Sequence, residues 1–298
     1  MTVAESLTDA GFGLGWSVVK ALPEPAADRL FGAAAERTWR RQGQSVRQLK
    51  ANLARVLGSD RIGELDGVAH EGVRRYLRYW CEVFRAPSWS AERVNRTFRI
   101  VDGMDRLDAA MAAGTGAIMV CPHMGNWDVA AAWASLRYGS LVTVAERLKP
   151  EGLFDRFVTY RESLGMEVLP YGDPDVMRIL IRRLKEGALV CLLADRDLSH
   201  GGIPVTFFGE VATMPGGPAA LALFTGAPLM PLSLWHVDGG IEAEIGAPIA
   251  IPDSGPRSER IATITQSMAD AFEARIARHP EDWHMMQPLW TVDLGEGR

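Results

Sequence analysis

The residues best suited to do chemistry are His123 and Asp128, in the stretch Pro122-His-Met-Gly-Asn-Trp-Asp128. On one continuous helix, five steps of about 100° would leave their side chains roughly 140° apart and unable to meet. They can meet if His123 lies in a turn and Asp128 enters the first turn of the helix that follows. Gly125 and Asn126 both tolerate the backbone angles of such a turn. Asp128 near a helix N-terminus stays ionised and is expected to accept the proton-bearing imidazole nitrogen. That fixes the tautomer and leaves the other nitrogen as a base. Two further polar clusters stand out, Glu146-Arg-Leu-Lys149 and Asp195-Arg-Asp197.

The elements that must position these clusters alternate along the chain. Ala117-Ile-Met-Val-Cys121 is a continuous apolar run, as in a strand buried on both faces. Leu141–Ala145, Met166–Leu169 and Ala188–Leu193 read as further strands, with helices over Val129–Leu136, Leu153–Leu164 and Val176–Leu184. This pattern predicts an α/β fold with a mainly parallel central sheet covered by helices on both faces. Residues 1–115 read as helical: Val46, Leu49, Leu53 and Val56 recur at helical spacing, as do Val73, Leu77, Trp80 and Phe84. The expected organisation is one domain, 1–298, with a helical N-terminal layer (1–115) and an α/β core (116–298). Ile261–Ile276 closes it as an amphipathic helix. Each polar cluster then falls just beyond the carboxyl end of a strand, where the chemistry of such sheets collects.

Composition narrows the class. The chain has 298 residues, 47% hydrophobic and 23% charged, with a net charge of −5, which excludes a disordered or collagen-like chain. Cys81, Cys121 and Cys191 form no C-x-x-C pair, so neither a disulfide scaffold nor a zinc site is expected. The first residues lack the order of a signal peptide. The longest stretch free of Asp, Glu, Lys and Arg, Val211–Val237, is broken by Pro215, Pro218, Pro228, Pro231 and glycines; it reads as a loop, a short buried helix and a buried strand. No transmembrane helix is expected. Between Lys20 and Arg55 there are eight cations and three anions. Trp16, Lys20, Arg37, Arg40 and Arg41, with Phe12, Phe31 and Trp39 beside them, suit a helix docked on an anionic bilayer; a solvated basic face is the alternative. Nucleic acid is not an expected partner.

Longer blocks carry a resemblance. His123-Met-Gly-Asn-Trp-Asp128 resembles the H-x4-D motif of glycerolipid acyltransferases. Asp195-Arg-Asp-Leu198 followed by Val205-Thr-Phe-Phe-Gly209, and Pro280-Glu-Asp-Trp-His-Met285, are similar to blocks of the lipid A late-acyltransferase superfamily. Within it, Val144-Ala-Glu-Arg-Leu-Lys-Pro150, Tyr160-Arg-Glu-Ser-Leu-Gly165 and Asp282-Trp-His-Met285 resemble the phosphatidylinositol mannoside acyltransferase branch, along nearly the whole chain. The resemblance implies transfer of a palmitoyl-type chain from acyl-CoA, a co-substrate, to the 6-hydroxyl of a mannose on phosphatidylinositol mannoside. It also implies a peripheral enzyme at the cytoplasmic face of the plasma membrane, with no metal and no cofactor.

By the same resemblance Arg161 and Asp195 join His123 and Asp128 in the site, although the family pattern leads one to expect Glu at 195. That leaves open whether Asp195 or Asp197 holds the mannose hydroxyls. Asn126, Glu146, Arg147, Lys149 and Arg196 are candidate substrate ligands, the cations for phosphate. The backbone N–H groups near Asn126 and Trp127 are candidate oxyanion donors, and Val211–Val237 a candidate acyl groove. Rival readings are another H-x4-D acyltransferase with a lysophospholipid or lipid A-like acceptor, a non-catalytic lipid-binding protein, and a metal hydrolase using His123, Asp128 and Asp195.

Overall fold

The computed structural model describes residue 16 and residues 18–139, 141–147, 151–199 and 201–294. Helices α1 (Glu24–Arg41), α2 (Gln44–Arg61) and α3 (Leu65–Arg85) come first, then the short α4 (Ala91–Thr97). Their apolar stripes bury Val46, Leu49, Leu53 and Leu57 of α2 and Ala69 and Val73 of α3, which is what attaches helices of this kind to a core. The helical expectation for residues 1–115 fails at β1 (Phe98–Asp102), a strand of the main sheet. Its sequence, Phe-Arg-Ile-Val-Asp, alternates apolar and polar residues only briefly, and its pairing partner lies far along the chain.

After α5 (Met104–Ala112), the chain alternates: β2 (Ala117–Cys121), α6 (Trp127–Tyr138), β3 (Leu141–Ala145), α7 (Glu151–Ser163), β4 (Met166–Pro170), α8 (Val176–Lys185) and β5 (Leu189–Leu193). A hairpin of β6 (Ile203–Phe207) and β7 (Glu210–Met214) stands apart as its own two-stranded sheet. It turns at Phe208 and Gly209, both at positive φ, the backbone of a tight hairpin turn. The sequence pattern predicts no strand there. Then follow α9 (Gly217–Thr225), β8 (Leu229–Val237), β9 (Gly240–Ile245) and α10 (Arg257–Ile276). The seven-stranded sheet has the order β1-β9-β8-β2-β5-β3-β4 and is parallel except for the β8–β9 hairpin. The expected α/β fold, mostly parallel and flanked by helices, is the one found.

Register is what builds the site. In the β2–β5 pair Cys121 lies opposite Leu193. His123 and Asp195 are each two residues further on, so they leave neighbouring strands at the same level, about 4.8 Å apart in the sheet. In the β3–β5 pair Thr143 faces Cys191, which brings Glu146 to the same edge.

The turn out of β2 depends on Gly125. Its φ is +59°, and a Cβ there would lie 2.7 Å from the backbone and Cβ of Leu234 on β8. Gly125→Ala combines strain with overlap, and is expected to cost about 2 kcal/mol or more. A thermal melt within 1 °C of the parent would show that the turn is not so confined.

Candidate active site

Asp195, not Asp128, is the carboxylate on His123. Nδ1 of the imidazole lies 2.5 Å from Asp195 Oδ1, and the His123 amide donates to Asp195 Oδ2 at 2.9 Å. The Trp283 indole donates to the same Oδ2 at 2.9 Å. Asp195 is fully buried. Burial pushes its pKa up, but the facing imidazole and these hydrogen bonds outweigh that and hold the carboxyl below its ordinary value. An ionised carboxylate only accepts, so Nδ1 carries the proton of the neutral ring and the lone pair stays on Nε2. His123 is partly exposed and lines a cavity.

Asp128 has a different task. Its carboxylate receives Arg161 Nε at 2.7 Å on Oδ1 and the Tyr79 hydroxyl at 2.9 Å on Oδ2. The expected His123–Asp128 pairing is therefore corrected. α6 begins at Trp127 with Asn126 as its cap, so Asp128 points to α3 and α7, whereas the imidazole faces β5. Burial lowers the guanidinium pKa of Arg161, but the Asp128 charge more than restores it. Burial, then the same charge, pushes the Tyr79 phenol well up. The pair keeps a cation at the wall of the cavity that His123 also lines. The metal-hydrolase reading loses its geometry, since Asp128 does not turn to a point shared with His123 and Asp195.

The back of the turn is held by the C-terminal stretch 280–285. Gly125 N donates to Asp282 O at 2.9 Å, His284 N to His123 O at 2.7 Å, and His284 Nε2 to Gly125 O at 3.1 Å. Burial drives the His284 pKa down to about 3, so this ring is neutral. Asn126 is fully buried. Its Oδ1 caps Val129 N at 3.0 Å and its Nδ2 donates to Glu82 at 2.8 Å. It is thus a structural cap rather than the substrate ligand expected. Tyr79, Glu82, His236, Trp283 and His284 were not singled out in the sequence; only the Asp282-Trp-His-Met285 block hinted at two of them. His236, Asp282 and His284 also bring ligand-type atoms within 4.8 Å of one another. Both nitrogens of His236 are already taken by carboxylates and Nε2 of His284 by a carbonyl. Two free ligand atoms are too few for a structural metal.

The cavity beside His123 has a volume of about 460 Å³. Its walls are mostly apolar, with Val144, Phe157, Val168, Leu180, Leu193 and Leu221 among them. Of the segment Val211–Val237, only Pro215, Gly217, Pro218 and Leu221 line it; most of the rest of the wall comes from α3, β3, α7, β4, α8, β5 and the stretch 284–287. Glu146 and Arg196 pair at 2.6 Å on its rim. Arg147 is exposed and lies over the Phe154 ring at 5.7 Å, outside the lining. Lys149, like Phe12, lies outside the described residues. Asp197 is not part of the cavity lining either. It ties its own loop by accepting from Ser199 N at 3.0 Å and Gly202 N at 2.9 Å, the usual work of an aspartate in a turn. Neither Asp195 nor Asp197, the two candidates for a sugar contact, lines the cavity.

Trp16 also departs from expectation. It packs inward against Phe84, Phe157 and Tyr160 and donates its indole N–H to Phe84 O at 3.1 Å. Lys20, Arg37, Arg40 and Arg41 are exposed.

A held imidazole at a strand end, a buried arginine and an apolar cavity together suit acyl transfer. The chain belongs to the bacterial lipid A biosynthesis acyltransferase family, whose description it matches over residues 7–292; it is an acyltransferase. It is 45% identical over 300 residues, the whole of this chain and 93% of the relative, to a phosphatidylinositol mannoside acyltransferase of Mycobacterium tuberculosis (strain CDC 1551 / Oshkosh). It is 43% identical over 294 residues, 98% of this chain and 94% of the relative, to the protein of the same name from Mycolicibacterium smegmatis.

The Asp128–Arg161 pair gives a direct test. Arg161→Met strands a buried carboxylate, and urea unfolding is expected to show a loss of about 3–5 kcal/mol. Adding Asp128→Asn should recover part of it. A loss under about 1 kcal/mol in the single variant would contradict the assignment.

Proposed function

We propose that the protein moves a long, palmitoyl-type acyl chain from acyl-CoA to the 6-hydroxyl of a mannose on phosphatidylinositol mannoside. The observation that carries this reading is the His123–Asp195 pair, whose imidazole lines an apolar cavity, taken with relatives named for that acceptor. Nε2 of His123 takes the proton of the attacking hydroxyl as its oxygen bonds to the thioester carbon. Asp195 stabilises the imidazolium so formed. The C–S bond then breaks, the thiolate leaves and recovers the proton from His123, giving an ester and a free thiol. The developing oxyanion needs N–H donors. Those of Trp127 and Asp128, in the first turn of α6, have no carbonyl partner within the helix. Arg161, and Arg196 on the rim, supply positive charge to anionic parts of the substrates. The apolar walls suit the acyl chain, because each buried CH₂ contributes about 0.8 kcal/mol. The substrates supply everything the reaction consumes, and no cofactor or metal enters it.

We also propose that the enzyme works as a peripheral protein at the cytoplasmic face of the plasma membrane. Among the described residues no helix is long and apolar enough to cross a bilayer. The surface that supports docking is one side of α1. Arg29, Leu30, Arg37, Arg40 and Arg41 are exposed there and fall within about 120° of the helix circumference. The aromatic residues expected to accompany them turn away: Phe31 packs near Phe84 and Trp39 stacks on His70 at 4.9 Å. Docking is then mainly electrostatic.

The activity test uses purified protein, radiolabelled palmitoyl-CoA and a panel of mannosylated and unmannosylated phosphatidylinositols. Label is expected only on the mannosylated lipids, and label confined to lysophospholipids would overturn the acceptor. His123→Ala and Asp195→Asn should each lower the rate by about 10²–10⁴-fold; a rate above a tenth of the parent in His123→Ala would remove the mechanism. For docking, Arg37, Arg40 and Arg41 changed together to Glu should abolish salt-sensitive binding to phosphatidylinositol vesicles. Each cation near such a surface contributes about 1 kcal/mol. Unchanged binding would mean that this face is merely solvated.

A further inference from the structure

His236, on the last turn-ward part of β8, is completely buried yet touches no substrate cavity. Nδ1 faces Asp282 Oδ1 at 2.6 Å, and Nε2 faces Glu82 Oε2 at 3.3 Å. Each carboxylate can only accept, so a ring that satisfies both carries two protons and a positive charge. Both carboxylates lead straight to the turn that bears His123. Glu82 Oε2 also receives Asn126 Nδ2 at 2.8 Å, and Asn126 caps α6. The Asp282 carbonyl receives Gly125 N at 2.9 Å, and the next residue, Trp283, holds Asp195. His236 thus joins α3, β8 and the 280–285 stretch behind the base and behind its carboxylate partner.

We propose that His236 is a positioning residue for the acyl transfer: clamped between Glu82 and Asp282, it sets the placement of both His123 and Asp195. The proposal rests on the reading of His123 as the base. The groups around the ring agree with it. Arg78 donates to Glu82 Oε1 at 2.8 Å, Arg75 to the His236 carbonyl at 2.7 Å, and His284 stacks obliquely at 6.4 Å and is neutral. Burial works against the charge on His236, but the two carboxylates prevail and hold its pKa above the ordinary value. Burial likewise raises Glu82, and His236, Arg78 and Asn126 then pull it down to about 2. Of the two arms the one to Asp282 is the shorter, and the backbone N–H of His236 reinforces it at 3.1 Å. That arm carries Trp283 and through it Asp195.

The two arms can be cut separately. In His236→Asn the amide nitrogen sits where Nδ1 was and keeps the Asp282 contact; in His236→Gln it sits where Nε2 was and keeps only Glu82. The structural readout is the far-downfield proton resonance of His123 Nδ1–H against Asp195, assigned by its loss in both His123→Ala and Asp195→Asn. Full-length protein is used throughout. In His236→Ala and His236→Gln that resonance should shift and broaden, kcat should fall about 10–100-fold, and KM for the acyl donor should stay within twofold. His236→Asn should recover most of both signals. Equal spectra and rates in the two amide variants, or a His123 resonance unmoved in His236→Gln, would overturn the proposal. The resonance needs no acceptor, so a wrong acceptor would leave this result standing. A failure of His123→Ala to lose activity would remove the mechanism while the spectra still reported on the clamp.

Discussion

An imidazole serves as a base only when its other nitrogen is held, and here the hold comes from Asp195 on the strand next to the one that delivers His123. That contact constrains much else. β2 and β5 must pair in one register, since a slip of one residue would turn every side chain to the opposite face. Asp195 must stay ionised while buried, which requires Trp283 and the His123 amide on its second oxygen. The turn between β2 and α6 must bring the ring round at Gly125, whose backbone lies against Leu234.

The site buries several charges, and each is matched. Asp128 sits with Arg161 and Tyr79; Glu82 and Asp282 sit about His236, with Arg78 outside. Such clusters add little net stability over an apolar core, but removing one member is costly. Their value is geometric, because matched buried charges admit few alternative arrangements. The result is a rigid polar wall behind His123 facing an apolar cavity. A polar cavity of about 490 Å³ between α1 and α3 is different in kind: Glu82 borders it, and its arginines pair largely with its own carboxylates and with backbone carbonyls.

The alternating apolar runs made β2, β3, β4 and β5 readable, because strands buried on both faces leave a plain pattern. The three polar clusters were readable as strand ends. What the sequence hid was non-local. β1 and β9 lie far apart in the chain and pair at the sheet edge, where short alternation looks like helix or loop. The partner of His123 was misassigned because Asp128 is near in sequence, whereas Asp195 is near only through the β2–β5 register. Trp16 and Asn126 looked like surface and substrate residues by type; their contacts with α3 and with Val129 are tertiary facts. His236 and Glu82 gave no local signal, since an isolated histidine in a strand and a glutamate on a helix are ordinary.

The central claim is that Asp195 sets the tautomer of His123 and so makes Nε2 the base. Nitrogen-15 chemical shifts of the His123 ring in full-length protein at neutral pH test it most directly. The structure predicts a protonated Nδ1 and an unprotonated, pyridine-like Nε2 in the parent and in Asp128→Asn, with that pattern lost in Asp195→Asn. A proton on Nε2 in the parent, or a pattern that follows Asp128 rather than Asp195, would contradict it.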